Sequence, residues 1–121
     1  SSAASDVYKR QEMAKTYKDY NNVIYEICNE PNGGITWTGG IKSYCQSVVS
    51  AIRKYDSDAI IICGTGTWSQ DIDQVLGNKL SDKNCVYALH FYAARQTTRK
   101  PTTTENIPQR YPLLHLKLLL L

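Results

Sequence analysis

Six apolar positions between residues 41 and 52 recur with helical spacing. Ile41, Tyr44, Cys45, Val48, Val49 and Ile52 fall at i, i+3, i+4, i+7, i+8 and i+11, which is one face of an α-helix. On either side the period changes. Val23-Ile24-Tyr25-Glu26-Ile27-Cys28 is rich in β-formers and stops at Pro31-Asn32-Gly33-Gly34. Ala59-Ile60-Ile61-Ile62-Cys63 is a continuous apolar run, as expected of a strand buried on both faces of a parallel sheet. Cys85 to Tyr92 reads as a third strand. A helix around Met13, Ala14 and Tyr17 precedes the first strand and ends at Asn21-Asn22. Asp71 is placed to cap a short helix carrying Ile72, Val75 and Leu76.

The order helix–strand–helix–strand–helix–strand predicts parallel strands joined by crossover helices. A doubly wound open sheet and a (β/α)8 barrel share this alternation, and the pattern alone does not separate them. Both ends of the chain fall outside it. Residues 1–11 show no clear periodicity and read as a non-native or disordered leader. Residues 95–121 carry three prolines and many threonines and end in LLHLKLLLL. They fit neither a strand nor an amphipathic helix, and read as an aberrant or disordered tail.

The patterned part, residues 12–94, therefore holds the domain. A barrel needs about 250 residues, so a chain of 121 residues is half of one at most. The net charge of +3 does not suggest nucleic acid, because its basic part is the tail. Up to residue 94 there are 9 basic and 10 acidic side chains, and beyond it 5 and 1. The four cysteines, at 28, 45, 63 and 85, are too widely spaced for a zinc site and read as small buried hydrophobes. No pairing into disulfides can be deduced from them. The leucines at 113–121 are too few to span a bilayer, which takes about 20 apolar residues, and no signal peptide opens the chain.

Three groups of residues could carry chemistry, each at or just after the end of a predicted strand. Asn29-Glu30-Pro31 stands where active sites sit in barrels. For Asn29 and Glu30 to share a site, the strand must end or bulge there, because successive strand residues face opposite sides. Alone, the tripeptide reads equally as a turn Asn beside a solvated Glu. His90 and Tyr92 share one strand face, and Leu89 and Phe91 take the other. A satisfied core histidine is the alternative. Trp68, in Thr67-Trp68-Ser69-Gln70, could stack on a sugar ring or fill a core, and Trp37 carries the same ambiguity. Gly64-x-Gly66 lacks the third glycine of a dinucleotide fingerprint and the lysine of a P-loop, so it reads as turn geometry.

Together, NNVIYEICNEPNG, IKSYCQSVVSAIRKYDSDAIIICGTGTWSQD and NCVYALHFYAA closely resemble the bacterial-type cellulases of glycoside hydrolase family 5, over roughly residues 12–94. The resemblance implies an α/β fold, a partial (β/α)8 TIM barrel of about strands 4 to 6 with parallel strands and their helices. It also implies retaining hydrolysis of β-1,4-glucan. Glu30 matches the general acid/base and Asn29 the residue that bonds the sugar 2-OH. His90 and Tyr92 match the sixth-strand pair, and Trp68 an aromatic of the substrate cleft. No metal or cofactor is implied. The implied partner is a β-glucan polysaccharide rather than nucleic acid or membrane, and the implied parent enzyme is a secreted, extracellular monomer. In such enzymes two carboxyl groups stand about 5–5.5 Å apart, one protonating the leaving oxygen and one attacking the anomeric carbon.

The sequence departs from that pattern in several respects: the first three strands, with an arginine and a histidine of the family site, and the last strand, with its cleft tryptophan, are missing. The family's nucleophile is a glutamate after the seventh strand, and the only glutamate beyond Tyr92 is Glu105, which has no β-rich run before it. The expected function is therefore a fragment holding Glu30 without its nucleophile. The alternatives are a family 5 mannanase or mixed-linkage glucanase fragment, a non-catalytic carbohydrate-binding remnant, or an unfolded product.

Overall fold

The computed structural model describes residues 2–92 and 115–120, with side chains as far as His90. Helix α1 spans Ala3–Tyr17, strand β1 Tyr25–Glu26, helix α2 Lys42–Arg53, strand β2 Ile61–Cys63, strand β3 Cys85–Tyr92 and strand β4 His115–Leu120. The sheet order is β1-β2-β3-β4. The first three strands are parallel, with Tyr25 opposite Ile61 and Ile61 opposite Cys85. This is the alternation expected from the sequence.

Helix α2 forms where the apolar face predicts it, and Cys45, Val48, Val49 and Ile52 are buried against the sheet. Burying such aliphatic side chains stabilises by about 1.5–3 kcal/mol each, before the entropy cost of ordering them. Alternation along β3 sends Cys85, Tyr87 and Leu89 into this core and His90 to the other face. Trp37 is fully buried. Its indole stands edge-on to Tyr87, with centroids 5.4 Å apart, and its Nε1–H donates to the Asn78 carbonyl at 2.8 Å. That places Trp37 in the core rather than a cleft.

Regular elements occur in both terminal segments. Residues 3–11, expected to be a leader, form the first half of α1. Ser2 caps that helix by accepting from the Ser5 N–H at 3.2 Å, and Asp6 lies in the first turn, where the helix dipole favours an anion. Val7 and Ala14 turn toward the core. At the other end, His115–Leu120 is a strand, antiparallel to β3, with Leu120 opposite Tyr87 and His115 opposite Tyr92. On the side away from β2, β3 would present an edge of unpaired N–H and C=O groups, which the leucine-rich segment pairs. The rest of the segment set apart as a tail, with Glu105, lies outside the described residues. Asp71 does not cap the turn Ile72–Val75 with its side chain. It accepts instead from the Thr67 hydroxyl and from Gln74 Nε2. Leu76 of that predicted helix is exposed.

Candidate active site

The C-terminal ends of β1, β2 and β3 carry the chemistry. The last backbone bond of the β1–β2 ladder runs from the Ile27 N–H to the Ile62 carbonyl at 3.0 Å. The chain then leaves the sheet through Cys28 and Asn29, which frees Glu30 from strict alternation. The Glu30 carboxylate meets His90 across the strand ends, with Oε1 2.8 Å from Nδ1. His90 is buried and Glu30 partly so. With Glu30 ionised, Nδ1–H donates to it, a charge-assisted bond stronger than a neutral one. The satisfied core histidine and the solvated glutamate weighed separately in the sequence are thus one contact. Asn29 is exposed at the same strand exit. The side chain of Tyr92 lies outside the described residues.

The loop after β2 closes on this exit. Gly64 makes the approach possible: a Cβ there would stand 2.3 Å from the Cys28 carbonyl oxygen and 2.9 Å from Pro31 Cδ. Thr67, Trp68 and Ser69 then run through the left-handed region, with φ of 50°, 53° and 59°. Non-glycine residues in that region cost on the order of 1–3 kcal/mol each and persist only where surroundings hold them. Here the Trp68 N–H donates to the Pro31 carbonyl at 2.8 Å and the Ser69 N–H to Thr65 at 3.0 Å. The Ser69 hydroxyl donates to the Asn29 carbonyl at 2.7 Å and accepts from the Thr65 N–H at 3.2 Å. The Thr65 hydroxyl donates to the Ala88 carbonyl at 3.1 Å. The same turn pushes Trp68 out to 51% exposure. A core role for Trp68 is excluded, and its indole is open to a ligand. In the sequence Thr65 and Ser69 had no role of their own and Gly64 only turn geometry; nothing in Thr-Gly-Thr-Trp-Ser marks a left-handed run.

The other titratable groups near this end are passive. All four cysteines are free thiols. Burial pushes the Cys28 thiol up to about 11, aided by Cys45. Hydrogen bonds with the Cys45 and Cys85 thiols, and burial, raise Cys63 as well. Neither Cys28 nor Cys63 is therefore a ready nucleophile. Among the described residues no group of three or more His, Cys, Asp or Glu could hold a metal ion. No helix among them is long and apolar enough to cross a membrane. A cleft of about 530 Å³ lies at the opposite ends of the strands, lined by residues such as Asn22, Asp56 and Asp58. It is remote from Glu30 and takes no part in the site.

Residues 1–117 match the family model described as cellulase (glycosyl hydrolase family 5). The chain belongs to that family. Its curated relatives include Endoglucanase N of Pectobacterium atrosepticum, 54% identical over 94 residues, covering 73% of this chain and 21% of the relative. An endoglucanase of Clostridium saccharobutylicum is 54% identical over 87 residues, covering 72% and 19%. This family 5 chain thus spans about a fifth of the length of these relatives. Among solved structures, a protein from Cytophaga hutchinsonii superposes with TM-score 0.73 at 39% identity, covering 76% of this chain and 30% of that one. The catalytic domain of a Thermobifida fusca endoglucanase superposes with TM-score 0.69 at 37% identity, covering 76% and 32%. It has also been solved in complex with cellotetraose. Three parallel strands with their helices form part of a family 5 (β/α)8 barrel, which decides between the two architectures the sequence left open.

Proposed function

We propose that this chain supplies the acid/base half of a retaining β-1,4-glucan hydrolase, as an internal part of a longer secreted enzyme. The observation that carries this reading is the 2.8 Å contact between Glu30 and His90 at the C-terminal strand ends. It holds one carboxyl group in a fixed direction where barrels do their chemistry. In the reaction, Glu30 protonates the glycosidic oxygen as the bond to the anomeric carbon breaks. The same carboxylate then deprotonates the water that releases the sugar. Asn29 bonds the 2-OH of the sugar under attack, an interaction that strengthens as positive charge develops. Tyr92 holds the second carboxylate, which another part of the barrel provides. The exposed Trp68 indole stacks on a sugar ring of the polymer. The partner is a β-glucan chain met outside the cell, since a polymer of that size does not enter one, and the full-length enzyme works as a monomer.

The test is Glu30→Gln in the full-length protein that carries this chain. Hydrolysis of unactivated glucan should fall by about 10²–10⁴-fold. Glucosides with good leaving groups need little protonation, so their glycosylation step should fall much less. An equal loss on both substrates would remove Glu30 from the acid role.

A further inference from the structure

We infer that Ser69 is a positioning residue for Glu30, acting through the backbone on either side of it. This rests on the assignment of Glu30 above and adds a residue to it. Glu30 has one clamped carbonyl before it and one after it. The Ser69 hydroxyl donates to the Asn29 carbonyl at 2.7 Å, and the neighbouring Trp68 N–H donates to the Pro31 carbonyl at 2.8 Å. Ser69 is completely buried, so this hydroxyl is not a surface group that happens to reach a neighbour. It is itself fixed by the Thr65 N–H, and Thr65, also completely buried, is tied by its hydroxyl to Ala88, two residues before His90. Ser69 therefore joins the peptide that carries Glu30 to the strand that carries His90. The left-handed run Thr67–Ser69 delivers both donors to the exit of β1, and a regular turn would aim them elsewhere. Removing the hydroxyl frees the Asn29 carbonyl and lets the Glu30 carboxyl drift from the direction His90 sets.

Two substitutions separate positioning from simple support. Ser69→Ala removes the hydroxyl and keeps the unfavourable backbone. Ser69→Gly removes the hydroxyl and adopts a positive φ freely. In the full-length protein both should lower kcat on unactivated glucan, on the order of 10²-fold for a misplacement of about 1 Å, with KM within about twofold. Glucosides with good leaving groups should lose much less in kcat/KM, which reports the glycosylation step, as that step does not depend on the placement of the acid. A crystal structure of the Ser69→Gly protein should show the Glu30–His90 contact opened beyond hydrogen-bond distance. Unchanged kcat on unactivated glucan overturns the inference, as does an equal loss of kcat/KM on both substrate types in Ser69→Gly. If the unsubstituted protein hydrolyses no glucan, the proposed function fails, and the crystal structure still decides the inference. An intact Glu30–His90 contact sinks it, and an opened one supports it.

Discussion

The two ends of the parallel strands solve opposite problems. At the N-terminal ends, Arg53 lies against Asp82 in a two-pronged contact, Nε to Oδ2 at 2.7 Å and Nη2 to Oδ1 at 3.0 Å. Its Nη1 donates to the Asp56 carbonyl at 3.1 Å, and Asp56 in turn accepts from the Tyr25 hydroxyl and the Ala59 N–H. The backbone here holds no non-glycine residue at positive φ. At the C-terminal ends the Glu30 carboxylate meets His90 across the strand exits, and every left-handed non-glycine residue among the described ones is found there. One end is arranged for holding the turns together and the other for presenting groups. Barrels commonly divide stability and catalysis in this way between the bottom and top faces.

The largest effect on the fold is expected where the two ends share a support. Trp37 lies in the loop after Pro31 yet packs on Tyr87 in the core. Trp37→Ala should cost roughly 3–5 kcal/mol in urea unfolding of the chain. A loss below about 1 kcal/mol would mean that the site loop is not anchored through the core. A smaller effect should follow Arg53→Met, about 1.5–3 kcal/mol from losing charge-assisted bonds, with glucan hydrolysis by the full-length protein unchanged below its unfolding temperature. A fall in kcat there would erase the division between the ends.

The same substitution predicts a pH dependence. The Arg53 hydrogen bond holds the Asp82 carboxyl below its ordinary value. A carboxylate whose folded pKa is depressed adds stability above its unfolded value, and that contribution is lost as pH falls through the folded one. The unsubstituted chain should therefore lose stability more steeply below about pH 4 than Arg53→Met does, as read by urea midpoints across pH. Parallel slopes would show that the pair is not the source. The smallest effect should come from Ser2→Ala at the start of α1, about 0.5–2 kcal/mol. A value near zero would leave α1 held by Val7 and Ala14 alone.

Much of this was legible before the fold was known, for identifiable reasons. The face of α2, with Ile41 just before it, repeats six apolar residues at helical spacing, and β2 is an unbroken apolar run, so each declares its period and burial. Helix α1 was half missed because its buried side is thin: Ala14 is its one fully buried residue, and Val7 is only partly covered. A tryptophan serves a core or a sugar cleft equally well, so Trp37 and Trp68 could be told apart only by burial, 0% against 51%. The contact between Glu30 and His90 spans 60 residues of chain and has no local signature. Ser69 was invisible for a related reason. A serine after a strand reads as surface polarity, and only the path of the backbone around it puts its hydroxyl inside.

Gly64 carries a consequence for how such a chain can change over time. Its missing side chain is the space in which the first and second strand exits touch. Any larger residue would have to displace a carbonyl and a proline ring, and with them the peptide that bears Glu30. Position 64 is therefore closed by contact, whereas Gly33, Gly34 and Gly77 have nothing within 4 Å of where a side chain would start and are restricted by their positive φ instead. Change near this exit is open instead to exposed loop residues such as Trp68. The seam beneath them cannot be widened one substitution at a time.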